Sequence, residues 1–148
     1  MTSPQGADEG KLQEDYMMLE TAKAQMEGLS KQQQLIQLAV EEHVRARETV
    51  KSLLKGSPGD EILIPIGADS FVHAKVSDNR NAVIGIGSGV TVRRSPEEAE
   101  KFLDEKIDEL SRAFKAIVDR AAQTEALIQE LSEKVQSQVD ALRSAGKI

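Results

Sequence analysis

The residues that could do chemistry are few, and most lie in the middle of the chain. Gly85-Ile86-Gly87-Ser88-Gly89 is the most inviting, since a glycine-rich turn can lay backbone N–H groups against a phosphate. A dinucleotide loop needs Gly-x-Gly-x-x-Gly between a strand and a helix. Here the third glycine position is Val90, and a strand pattern follows rather than a helical one. The segment reads better as a hairpin turn whose glycines supply positive φ. His43 stands in a helical pattern and His73 in a strand pattern, and there is no Cys and no clustered carboxylate to complete a metal site. Ser, His and Asp are present without the strained elbow that exposes a nucleophile. The expectation is therefore no enzyme, no catalytic residue, no cofactor and no metal.

The elements that must position these residues are more informative. Between Glu61 and Arg94, short β-branched runs are punctuated by Gly67-Ala68-Asp69, Ser77-Asp78-Asn79 and Gly87-Ser88-Gly89, all turn compositions. They predict four strands in two hairpins. Before them, from Lys11, a seven-residue series Leu12, Leu19, Met26, Gln33, Val40, Arg47, Leu54 alternates with Asp15, Ala22, Leu29, Ile36, His43, Val50. Asp15, Gln33, His43 and Arg47 interrupt an otherwise apolar seam. Gly56-Ser57-Pro58-Gly59-Asp60 ends this helix, with Gly56 as its cap.

Ser95-Pro96-Glu97-Glu98 starts a second helix with an N-cap serine, a first-position proline and first-turn acids. Its seam series are Ile107, Phe114, Ala121, Ile128, Val135, Leu142 and Leu103, Leu110, Ile117, Thr124, Leu131, Gln138, Ala145. The predicted organisation is a disordered tail over 1–10 and one domain over 11–148: helix 11–55, two hairpins over 61–94, helix 96–145. Two helices of nearly equal length, on the order of 65–75 Å each at 1.5 Å per residue, fold back most simply as an antiparallel pair. The fold class is α+β: a long α-helical coiled-coil hairpin with a β head at one end and both termini at the other tip.

Composition agrees. The chain has 148 residues, only 3% of them aromatic and 30% charged. Aromatic side chains dominate compact cores, so this chain is expected to bury narrow seams of Leu, Ile and Val. A net charge of −6 argues against nucleic acid, whose phosphates call for clustered Lys and Arg. No run approaches the roughly 18 apolar residues that span a bilayer, and the polar start has no export-signal pattern. No membrane partner and a cytoplasmic location are expected.

The predicted strands are apolar on both faces: Ile62, Ile64 and Ile66 oppose Leu63 and Pro65, and Phe71 opposes Val72 and Val76. Two hairpins alone cannot cover such faces, and bare edges invite aggregation. Ile62, Ile64, Ile66, Val72, Val76, Ile84, Ile86, Val90 and Val92 are thus candidate oligomerisation residues, with the missing strands coming from other subunits that close an oligomeric β-barrel.

At the far tip, Leu12, Tyr16, Met17, Met18 and Leu19 lie close to Leu131, Val135, Val139 and Leu142 on the returning helix. Tyr16, Met17, Met18 and Val139 exceed what a two-stranded seam buries. Methionine suits surfaces that accept varied apolar partners. These residues are candidates for binding non-native polypeptide at the coiled-coil tips; the plainer reading has Leu19, Leu131 and Val135 simply zipping the tip closed.

Glu61-Ile62-Leu63-Ile64-Pro65-Ile66-Gly67-Ala68-Asp69-Ser70-Phe71, Asn81 to Val90, and Ser95-Pro96-Glu97-Glu98-Ala99 together resemble the strand, hairpin and helix-entry signatures of prefoldin subunits. Two hairpins rather than one resemble the alpha class, of archaeal type, and the likeness covers about residues 11–145. The resemblance implies a hexamer of two alpha with four beta-type subunits, built on a double β-barrel with hanging coiled coils. It implies capture of unfolded client proteins without ATP and their transfer to a group II chaperonin. A homo-oligomeric coiled-coil scaffold or filament protein is the alternative from another class, distinguished by polymers that form without a second subunit. A periplasmic adaptor would need export.

Overall fold

The computed structural model describes residues 4–78 and 80–146. Its elements run α1 Pro4–Lys55, β1 Glu61–Gly67, β2 Ser70–Lys75, β3 Ala82–Gly87, β4 Val90–Arg94 and α2 Pro96–Ser144. Helix α1 begins at Pro4 rather than Lys11, so residues 4–10, expected to be disordered, are helical; residues 1–3 lie outside the described residues. Proline is accommodated in a first helical turn, where its missing N–H would have no partner. Gly6 and Gly10 cost helix propensity without breaking the helix.

The heptad series identify the buried stripe. On α1 every seam residue from Leu12 to Leu54 is buried or half-buried, the polar ones included. On α2 the same holds from Leu103 to Leu142, and only Ala145, past the end of the helix, is exposed. No large side chain is fully buried among the described residues; Leu19, Ala22, Leu29, Ala99, Leu103, Ile107, Ala121, Leu131 and Leu142 form the core. Two facing helices leave each seam side chain a solvent-facing rim, which produces narrow burial of this kind.

The chain divides into two compact units. A terminal unit combines α1 up to Ile36 with α2 from Ala113, and a central unit spans Gln37–Arg112. In the central unit Arg47 Nη1 bonds Asp104 Oδ1 at 3.1 Å, and Lys51 faces Glu100 at 3.9 Å. Position rises on one helix as it falls on the other, so the helices are antiparallel. In the terminal unit Asp15 likewise meets Gln138 and Lys134. The fold is an antiparallel coiled-coil hairpin with two β-hairpins between its helices.

Helix α1 ends at Lys55, and Gly56, the expected cap, returns its N–H to the Leu53 carbonyl at 3.2 Å, while the positive φ in this loop belongs to Gly59, at 94°. Asp60 N–H returns to the Ser57 carbonyl at 3.1 Å across Pro58-Gly59, a type II turn with proline and glycine in their favoured places. Space at Gly56 is tight: a Cβ there would lie 3.2 Å from Asp60 Oδ2 and 3.4 Å from the Ser52 carbonyl oxygen, so a side chain would need the Asp60 carboxylate to shift. The entry to α2 is as the sequence indicates. Ser95 Oγ accepts from Glu98 N–H at 3.2 Å, Pro96 opens the helix, and Glu97 and Glu98 sit in its first turn.

The hairpins are two separate two-stranded antiparallel sheets, β1–β2 and β3–β4, built to one plan. In each, a register shift lies just before the turn, between Pro65 and Gly67 and between Gly85 and Gly87. Three positive-φ residues follow, Gly67-Ala68-Asp69 and Gly87-Ser88-Gly89. Two consecutive left-handed residues make the turn that matches the natural twist of paired strands. Gly85-Ile86-Gly87-Ser88-Gly89 is thus the end of a strand and its hairpin turn.

Candidate functional site

The sequence points to two surfaces, one on each unit. On the central unit, paired residues Ile62 with Ala74 and Ile64 with Val72 share one hairpin face, while Leu63 with His73 and Pro65 with Phe71 share the other. In the second hairpin Ile84 pairs with Val92 and Val83 with Arg93. Ile64, Ile66, Val72, Ile86 and Val90 are exposed, whereas Ile62, Ile84 and Val92 are half-buried. Val76 differs from its expected role. It is buried within its own unit, past the end of β2, and its N–H and carbonyl are held by Asp60 O at 2.9 Å and Gly59 N at 2.6 Å. It anchors the first hairpin to the α1–β1 turn and offers no surface.

Leu63, Phe71 and Val83, which lie outside the residues the sequence singles out for oligomerisation, are also exposed, at 57%, 59% and 67%. Both faces of the strands that carry Leu63 and Phe71 are apolar in the sequence, and these two residues lie on the face opposite Ile62, Ile64 and Val72. A groove of about 250 Å³ between α1 and the first hairpin is lined by Leu53, Leu63, Pro65 and Phe71 among others. A second, of about 530 Å³, lies between α2 and the second hairpin, beside Ile84, Ile86, Val92 and Phe102.

On the terminal unit the nine tip residues separate into three groups. Leu19, Leu131 and Leu142 are buried in the seam, and Leu12, Val135 and Val139 are half-buried. Tyr16, Met17 and Met18 are exposed, at 52%, 64% and 50%. Met17 and Met18 flank a shallow groove with Ala22 and Leu127. Leu127 is the residue sequence reasoning missed here; like Val139 it is apolar and outside both seam series.

Within this seam Asp15 is buried. Gln138 Nε2 donates to its Oδ2 at 2.9 Å, and Lys134 Nζ lies 3.5 Å from the same oxygen. The Gln138 hydrogen bond and then the Lys134 charge hold the Asp15 carboxyl below its usual value, against the opposing effect of burial. His43 Nδ1 donates to the Ala39 carbonyl at 2.7 Å within its own helix, and His73 is exposed on β2. Among the described residues no group of carboxylates and histidines could hold a metal ion, and no helix is long and apolar enough to cross a membrane.

The prefoldin subunit family profile matches residues 22–141. Prefoldin subunit alpha of Pyrococcus horikoshii is 37% identical over 127 residues, covering 85% of this chain and 84% of that protein. The chain belongs to the prefoldin family. Its relatives place it with the alpha subunits of that chaperone family, and human prefoldin subunit 5 is also similar, 30% identical over 107 residues that cover 70% of this chain and 69% of that one.

Solved prefoldin structures share the fold. A cryo-EM structure of filamentous prefoldin from Methanocaldococcus jannaschii superposes with a TM-score of 0.61 at 24% identity, covering 78% of this chain and 95% of that one. The prefoldin beta subunit from Thermococcus strain KS-1 gives 0.58 at 19% identity, with coverage of 86% and 90%.

Proposed function

We propose that this prefoldin subunit captures non-native polypeptides on its terminal unit, without ATP, and passes them to a group II chaperonin. The observation that carries the reading is the exposed run Tyr16-Met17-Met18 beside a seam that has no room for it. Roughly 25 cal/mol is gained per Å² of apolar surface covered, so these side chains favour any extended apolar segment that docks there. Methionine adapts to varied shapes, which fits a binder with many clients. The exposed faces of the two hairpins support assembly through the central unit, as two alpha with four beta-type subunits whose strands close a β-barrel. Nothing in this scheme requires a nucleic acid or a membrane, and the acidic chain is suited to the cytoplasm.

Two measurements test the reading. Co-expression with a beta-type prefoldin subunit should give a single hexameric mass, whereas polymers of this chain alone would favour a scaffold. In that hexamer, Met17→Ser with Met18→Ser should weaken suppression of aggregation of reduced, unfolded lysozyme, followed by light scattering. Undiminished suppression by a normal hexamer would rule out capture at this surface.

A further inference from the structure

The polar pair inside the terminal seam is chemically mismatched. Asp15 stands at a seam position and is 5% exposed. An ionised carboxylate only accepts hydrogen bonds, whereas an amide side chain both donates and accepts. Gln138 can direct its NH2 to Asp15, but Asp15 has no hydrogen to return. Gln138 Oε1 is indeed buried, and among the described residues no group donates to it. Turning the amide over would set two oxygens against each other. Lys134 does not resolve the mismatch, because its ammonium approaches the same Asp15 Oδ2 that Gln138 already uses. Closing the seam therefore has two opposed consequences. It buries Leu19, Leu131 and Leu142, which favours closure, and it buries a half-satisfied polar pair, which opposes it.

We propose that Asp15 and Gln138 are positioning residues for client capture: their mismatch keeps this stretch of the seam openable, so that Leu19, Leu131 and Leu142 can join Tyr16, Met17 and Met18 on the capture surface. The inference rests on the capture reading above and accounts for how leucines that the closed seam hides reach a client. The pair acts through the leucines and makes no contact with the client itself. An apolar pair at these two positions would zip the seam, and so would a donor-only partner for Asp15.

The test uses the full chain in its hexamer with beta-type subunits. Asp15→Leu with Gln138→Leu fills the seam, and Gln138→Lys keeps the carboxylate paired while removing the orphaned acceptor. Both should slow amide hydrogen exchange in the two helix segments around positions 15 and 138 by roughly tenfold, and both should weaken suppression of lysozyme aggregation. Asp15→Ala, which strands Gln138, should speed exchange in the same two segments. Slowed exchange with undiminished suppression would overturn the proposal, as would exchange that neither closing variant slows. Gln138→Lys keeps the test alive should the double leucine variant misassemble. Met17→Ser with Met18→Ser separates the two ideas: weakened capture there alone refutes the positioning role, whereas unchanged capture in every variant refutes capture at this surface altogether.

Discussion

Asp15 shows how one side chain couples seam stability to pH. Its carboxyl is held low by the Gln138 hydrogen bond and the Lys134 charge, with Lys11 adding a weaker attraction. A carboxyl whose folded value lies below its unfolded one contributes stability, relative to its own protonated form, above the ordinary aspartate range. That contribution is lost as pH falls below about 4 and through the lowered folded value. Asp15→Asn should therefore flatten the acid limb of the unfolding curve relative to the parent chain, measured as thermal midpoint against pH. Asp78 is held low in the same direction by the Arg80 backbone N–H, at 2.9 Å, and then by the Arg80 side chain. It is a local turn contact, and the comparison with Asp15→Asn leaves it unchanged in both proteins.

At the scale of elements, caps and turns set where helices and hairpins begin. Ser95→Ala removes the acceptor for Glu98 N–H and should cost about 1 kcal/mol in denaturant unfolding. Ala68 and Asp69 occupy left-handed conformations, φ 50° and 55°, that favour asparagine and glycine. Replacing them by Ala68→Asn with Asp69→Gly should stabilise the first hairpin by roughly 1 kcal/mol, read in the same unfolding experiment. The second hairpin already carries glycine at the corresponding place, Gly89, so the two turns offer an internal comparison.

For the whole molecule, the hairpins matter because they are unfinished as structures. Two isolated two-stranded sheets are marginal in water, and these expose apolar side chains on both faces. Phe71→Lys with Val83→Lys should leave the helical circular dichroism nearly unchanged while reducing the yield of hexamer with beta-type subunits, measured by native mass. The central unit keeps its own anchors, Val76, Ala99, Leu103 and Ile107, none of which these substitutions touch.

The seam, the strands and the start of α2 could all be read from the chain, because periodicity and caps are local properties. The seven-residue series marked the buried stripe down to its polar members, and the spacing of Gly67 and Gly87 marked both turns. Three matters needed the folded structure. The geometry of the loop after α1 depends on how closely Asp60 approaches Gly56, a contact created by the turn itself. The division of the apolar tip into buried Leu19, Leu131 and Leu142 and exposed Tyr16, Met17 and Met18 depends on which faces meet. Above all, Asp15 and Gln138 are polar interruptions on separate helices until antiparallel pairing brings them together, and only then does an acceptor facing an amide become a mismatch.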